Sequence, residues 1–332
     1  MMNVIGFWYN NARPKALPQS MLPALLAVCM AAGSPDFSLP LALLAVAGVL
    51  FGHLGMNLFD DYFDYRKKGT EYRDKMAGEG IRARIAKCSY LTSGAATLSQ
   101  LRVACLAFSF VALGLGAFIF WFRGEYIVWI ALFTAVLGIS YSGAPLRLSY
   151  HGWGELEVGF IFGPLLMTGV YYSAAGTVTP AVLFVSFPVG LLVANILYTH
   201  SILDYEPDKK AGKMTLAVLL RDKKRMLAVL FLLLFCPFGV LAWGIVRGEL
   251  PVYYWAVFIT LPMAYSLFRL MIEFVRDPHR VFMPKFWMGP MTNWENIRKI
   301  GIDWFMIRWL LARNLLSFFC LIILIINLVI LF

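Results

Sequence analysis

Hydrophobic positions run along this chain in long blocks, with polar residues gathered into short stretches between them. Nine blocks are long and apolar enough to be read as membrane-crossing helices: 17–33, 39–58, 100–121, 125–141, 155–174, 180–203, 226–246, 252–275 and 304–331. A span needs about 20 mostly apolar residues, and the first and fourth blocks are the shortest. The expected architecture is an all-α integral membrane protein, one polytopic domain over 1–332. Its inward loops fall at about 59–99, 142–154, 204–225 and 276–303.

Charge supports this layout. With the amino terminus cytoplasmic, the inner segments collect Arg13, Lys15, nine basic residues from Arg66 to Arg102, and Arg147. They continue with seven from Lys209 to Arg225, then Arg276, Arg280, Lys285, Arg298 and Lys299. The outer loops keep only Arg123 and Arg247. That asymmetry is the positive-inside pattern, so the net charge of +10 is mainly topological and does not point to nucleic acid. The composition, 60% hydrophobic and 14% charged, departs from a soluble chain in the same direction. Five cysteines without CxxC spacing read as reduced thiols.

Two acidic clusters stand at inner helix ends. If the second helix continues past 58, Asn57, Asp61 and Asp64 share one face at i, i+4 and i+7, with Asp60 beside them. Carboxylates so close repel one another unless a cation sits among them, and hard oxygen ligands suit Mg²⁺. The second cluster pairs Asp204 with Asp208, followed by Lys209, Lys210 and Lys213. Carboxylates for a metal next to lysines for phosphate oxygens compose a diphosphate site. The alternative for each cluster is a solvated loop with helix-capping acids. The two matching helix-to-loop junctions suggest two halves facing one site.

Four stretches resemble the UbiA superfamily of intramembrane prenyltransferases, and most closely its MenA-like 1,4-dihydroxy-2-naphthoate polyprenyltransferase branch. They are Arg13–Pro18, NLFDDYFDYRKKG from Asn57, YSGAPLRLSYHGWGELEVGFIFGP from Tyr141, and DYEPDKKAGKMTLAVLL from Asp204. The resemblance implies a bundle of about nine helices around a central cavity. It implies Mg²⁺ held by Asn57, Asp61 and Asp64 on one side and by Asp204 and Asp208 on the other. Asp60 is grouped with these metal residues, at a position where the branch often has Asn. Arg147, Lys209 and Lys213 become candidates for diphosphate contact, and Tyr141 for a place near the reacting centre.

The implied activity is transfer of a polyprenyl group from its diphosphate to an aromatic acid in menaquinone biosynthesis, within the cell inner (cytoplasmic) membrane. The same fold acting on 4-hydroxybenzoate or homogentisate is the alternative acceptor reading. A transporter and a non-catalytic binding protein are the alternatives of other classes. The chain departs from the branch at His200-Ser201-Ile202-Leu203-Asp204, where amides and an Arg are usual. His200 is the candidate there for a base or a hydrogen-bonding partner of the acceptor, with a structural histidine as the alternative.

Other polar residues have simpler readings. His53 lies one turn before Asn57 and faces the bundle interior by default. Glu155 and Glu157 open the fifth span, where a first-turn acid is favourable with the helix dipole. Gly52, Gly55, Gly159 and Gly163 read as close-packing positions. The segment 276–302 reads as an amphipathic interfacial helix carrying Trp287 and Trp294.

Overall fold

A computed structural model describes residues 4–66, 88–210, 212–278 and 280–331. Seven helices are long and apolar enough to cross a membrane, and two shorter apolar helices accompany them among the described residues. In chain order they are α1 (Pro18–Ala31), α2 (Leu39–Arg66), α3 (Leu98–Arg123), α4 (Tyr126–Ser142), α5 (Gly154–Ala175), α6 (Pro180–Leu203), α7 (Lys223–Val246), α8 (Val252–Arg276) and α9 (Asp303–Leu331). The shorter two are α1 and α4, the blocks the sequence pattern also makes shortest. Seven of the nine expected spans are therefore long helices, and the other two hold the same positions with fewer turns. The basic residues from Lys67 to Lys87, and the end of the first acidic motif at Lys67–Gly69, lie outside the described residues, as does Ala211.

The chain divides into two compact units. The first comprises Met1–Tyr150 and Leu165–Val178, and the second His151–Pro164 and Thr179–Phe332. In the first, α2 packs chiefly on α3, and the Leu166–Ala175 half of α5 packs on α1 and α2. Helix α3 begins with a capping box in which Thr97 and Gln100 satisfy each other's backbone amides, and it stops at Gly124. Arg123 then donates to the carbonyls of Asp36, Ser173 and Ala174 at 2.7–2.9 Å, closing the end of α5 that has no following turn. In the second unit, α6 is the central element. It packs on α7, on the Gly154–Phe160 part of α5 and on α9, and 16 of its residues are buried.

Helix α5 is not regular. Residues Ile161–Leu165 form a π turn that contains Pro164. Proline has no N–H to complete the α ladder and crowds the carbonyl one turn back, so the backbone widens locally. Before the break, Gly159 and Gly163 bring α5 against α6. A Cβ on Gly159 would lie 2.6 Å from the Gly190 carbonyl oxygen, and one on Gly163 would lie 2.5 Å from Gly190 Cα and from the Ser186 carbonyl oxygen. Both are close-packing positions, as is Gly55, whose Cβ would meet Phe108 Cβ at 3.2 Å. Gly52 is not, because open space surrounds it.

The segment after α8 also departs from expectation. Among the described residues there, only Trp294–Ile300 is α-helical, with one 3-10 turn at Phe286–Met288. Pro278, Pro284 and Pro290 interrupt the backbone ladder, and Gly289 takes φ 78°. Trp287 donates from Nε1 to Ser266 Oγ at 3.0 Å, so one of the two tryptophans is tied back onto α8.

Replacing Gly163 with Leu is expected to lower stability by about 1–3 kcal/mol through overpacking. Gly52→Ala, which meets nothing and removes a helix-interior glycine, is expected to hold or raise it. Thermal unfolding of the two variants in detergent, followed by intrinsic fluorescence, distinguishes them.

Candidate functional site

The first acidic motif is helical throughout, since α2 runs on to Arg66. Asp61 and Asp64 are 2% and 3% exposed, on the same stripe as Asn57. Buried carboxylates require donors, and the first unit supplies them from four separate stretches. Arg13 Nη2 lies 3.1 Å from Asp60 Oδ2 and 3.2 Å from Asp61 Oδ1, and also donates to the Asn57 carbonyl at 2.6 Å. Tyr90 donates to Asp61 Oδ2 at 3.1 Å, Tyr150 to Asp64 Oδ1 at 2.6 Å, and Ser142 to Asp60 Oδ1 at 2.6 Å. Asn57 donates from Nδ2 to the Ala12 carbonyl at 2.9 Å, which leaves Oδ1 as its accepting or ligating atom.

The electrostatics follow from this packing. Burial works against the Arg13 charge, but Asp61 and Asp60 outweigh it and hold the guanidinium above its ordinary value. Burial and the adjacent Asp61 push the Tyr90 phenol up, so it remains a hydrogen-bond donor across the physiological range. Arg13 takes φ 62° and ψ 56°, a left-handed conformation uncommon for a residue with a Cβ. The ion pairs it makes stand against that backbone cost. One turn before Asn57, His53 Nδ1 lies 2.6 Å from Ser20 Oγ, which gives this buried histidine a structural partner.

Next to Ser142, which bonds Asp60, the first unit has an open-sided pocket of about 270 Å³ lined by Phe63, Arg66, Ser142, Ala144 and Arg147. Arg147, at φ 45°, turns the loop after α4 and lines this pocket together with Arg66. The family resemblance makes Arg147 a candidate for diphosphate contact, while Arg66 counts in the sequence only as a topological charge. Tyr141 is half-buried next to Ser142 at the end of α4.

The second unit holds the other predicted residues. Asp204 and Asp208 are almost wholly buried at the end of α6 and in the helical turn Tyr205–Lys210. His200 Nε2 lies 3.4 Å from Asp204 Oδ2, and its ring meets the Phe305 ring edge-on at 5.3 Å. Lys209 is exposed with Nζ 5.8 Å from the Tyr205 ring centre, and the Lys213 amide bonds the Asp208 carbonyl at 2.9 Å. Glu155 fastens this segment. Its Oε1 accepts from Ser201 Oγ at 2.5 Å and from the Leu216 amide at 3.2 Å. An isolated bridge between His151 and Met214 runs alongside.

Among the described residues, no three His, Cys, Asp or Glu side chains cluster tightly enough to hold a metal alone. The donors of each motif are nevertheless hard oxygens: carboxylates and, at Asn57, a carboxamide oxygen. That set fits Mg²⁺, which takes one or two carboxylates and fills its octahedron with water and phosphate oxygens.

An all-helical, multi-pass membrane chain with buried acids at its helix ends defines a narrow class, and comparison with known proteins identifies it. The family model described as "UbiA prenyltransferase family" matches residues 20–289. The chain belongs to the UbiA prenyltransferase family. It is 28% identical over 215 residues to the 1,4-dihydroxy-2-naphthoate octaprenyltransferase of Bacillus subtilis, covering 65% of this chain and 66% of that one. It is 30% identical over 224 residues to the protein of that name from Mycobacterium tuberculosis, covering 66% and 72%. The chain thus spans about two thirds of the length of these relatives. A UbiA homologue from Archaeoglobus fulgidus, solved with GPP and Mg²⁺, shares the fold with a TM-score of 0.59 at 17% identity, over 95% of this chain and 99% of that one.

Substituting Arg13 with Met removes the guanidinium that Asp60 and Asp61 share. The expected loss of stability is about 1–3 kcal/mol, the lower part of the range for a broken buried pair because the guanidinium is partly solvated. Adding Asp60→Asn to Arg13→Met is expected to recover part of that loss. Thermal unfolding of the single and double variants reads the coupling.

Proposed function

We propose that the protein transfers a polyprenyl group from a polyprenyl diphosphate to 1,4-dihydroxy-2-naphthoate, with Mg²⁺, in menaquinone biosynthesis. In this reading it is a single multi-pass domain of the cytoplasmic membrane. The carrying observation is the stripe of buried acids on α2, set beside an open-sided pocket lined by Arg66 and Arg147. Family membership and the names of the relatives from Bacillus subtilis and Mycobacterium tuberculosis supply the reaction class and the acceptor.

Asn57, Asp60, Asp61 and Asp64 in one motif, and Asp204 and Asp208 in the other, are the proposed Mg²⁺ ligands. Bound Mg²⁺ supplies charge neutralisation of the diphosphate. Arg66, Arg147, Lys209 and Lys213 add fixed or mobile cations for its oxygens. As negative charge grows on the leaving oxygen, those cations stabilise it more than they stabilise the bound substrate, and the C–O bond to the prenyl group breaks. The allylic carbon left behind is electron-poor and must meet the acceptor before water. An apolar helical interior excludes water, and aromatic faces attract the cation. The acceptor's ring carbon then forms the new C–C bond, and its carboxylate departs as CO₂, leaving the bonding pair to restore the aromatic ring. His200, held against Phe305 and Asp204, and Tyr141, beside Ser142, are the proposed groups for orienting the acceptor.

Purified protein in lipid, given Mg²⁺, a panel of polyprenyl diphosphates and 1,4-dihydroxy-2-naphthoate, is expected to release CO₂ and form a prenylated naphthoquinol. Asp61→Ala or Asp208→Ala is expected to lower turnover by more than about 100-fold, in keeping with loss of charge stabilisation at the reacting centre. Chelation is expected to abolish turnover until Mg²⁺ is returned. Full turnover in both variants would remove the metal assignment, and product from other aromatic acids alone would change the acceptor.

A further inference from the structure

Helix α5 opens with two acids whose circumstances differ. Glu155 is bonded to Ser201 and to the Leu216 amide. Glu157 is only 6% exposed, and neither of its carboxylate oxygens accepts a hydrogen bond from the described residues.

The start of α5 buries an acid on each of two sides. Glu155, Gly159 and Gly163 recur every four residues and face α6, through the Ser201 bond and the close approach to Gly190 and Ser186. Glu157, two residues on, is rotated about 200° from Glu155, whereas Pro164, in the irregular turn that follows, meets α6 again at Gly190. Between the two sides, Leu156 and Phe160 are exposed. Glu157 is therefore turned away from α6 and is also out of water. The π turn at Ile161–Leu165 begins four residues further on, a backbone departure that recurs at functional positions.

The ordinary role of a first-turn acid is to accept from the unbonded amides of the helix start. Glu157 makes no such bond. A buried carboxylate with no donor is costly, and within a membrane-spanning segment such a residue faces a partner that completes it. The missing partner must bring a hydrogen-bond donor. A diphosphate or a carboxylate brings acceptor oxygens and no donor. A hydroxyl on an otherwise apolar ring brings the donor and suits apolar surroundings.

We propose that Glu157 is a binding residue for the aromatic acceptor, accepting a hydrogen bond from a phenolic O–H. This rests on the reading of the chain as a prenyltransferase acting on a hydroxyarene. Glu155, two residues away, ties the same helix end to Ser201 and Leu216, which flank His200, Asp204 and Lys213, so Glu157 stands on the element anchored to the second acidic segment. By holding the hydroxyl, Glu157 fixes the orientation of the ring, and with it the carbon offered for bond formation.

Binding of 1,4-dihydroxy-2-naphthoate and of its dimethyl ether to the full chain in nanodiscs, read by quenching of tryptophan fluorescence, tests this without turnover. The parent is expected to bind the dihydroxy compound at least about ten-fold more tightly than the ether, the scale of one buried hydrogen bond to a charged acceptor. Glu157→Leu is expected to remove that preference without lowering the melting temperature. Glu157→Gln, which keeps a weaker accepting oxygen, is expected to retain part of it, and stands in if the Leu variant does not fold. In steady-state assays both changes should raise the acceptor KM and leave the polyprenyl diphosphate KM alone. An undiminished preference in the folded variants overturns the inference while parental prenyl transfer still upholds the proposed function. A parent that binds neither compound overturns the inference, and one that also forms no prenylated product overturns the function with it.

Discussion

A carboxylate withdrawn from water has to be met by donors or by a cation, and in this protein that requirement organises the parts that matter. Asp61 and Asp64 sit on a helix that is otherwise apolar over most of its length. Each draws a phenol from a different point in the chain, Tyr90 and Tyr150, and Asp60 and Asp61 share one guanidinium. Hydrogen-bonding these residues fixes the loop after α4 and the turn before α1 against the end of α2. The local geometry of the first unit is therefore as much a consequence of its buried charge as of its packing.

The second unit meets the same demand differently. Asp204 has an imidazole beside it, and Glu155 takes a hydroxyl and a backbone amide, so that the return after Asp208 is held by a side chain on another helix. In both units polar residues reach across sequence to settle where an acidic segment lies. Charge in a low-dielectric setting is strongly felt, so small displacements of these anchors move the acids more than an equal shift at a solvated loop would.

What could be read beforehand follows from the range over which each signal acts. Helical blocks, their approximate ends and the common face of Asn57, Asp61 and Asp64 depend on residues close in sequence, and periodicity exposes them. The tight contact at Gly159 and Gly163 was also visible as a small-residue spacing. The partners were not. Nothing in the local sequence of Tyr90, Tyr150 or Ser142 announces a carboxylate dozens of residues away, and the place of Arg66 beside Arg147 depends on tertiary structure alone. The segment after α8 was misread for a different reason. Its mix of aromatic and basic residues suits an amphipathic helix, but its prolines deny it the backbone ladder such a helix needs.

The π turn in α5 bears on how this chain can change over time. Such a turn holds one residue more than the α-helical path would, and each residue added to or removed from a helix rotates everything beyond it by about 100°. The stretch before the turn is keyed to α6 through two glycines, while Leu166–Ala175 is keyed to α1 and α2. Losing a single residue between 161 and 165 would regularise the helix and carry one of those two faces out of register. Side chains in this stretch can drift while its length stays locked, so insertions and deletions should be purged here even where substitutions accumulate.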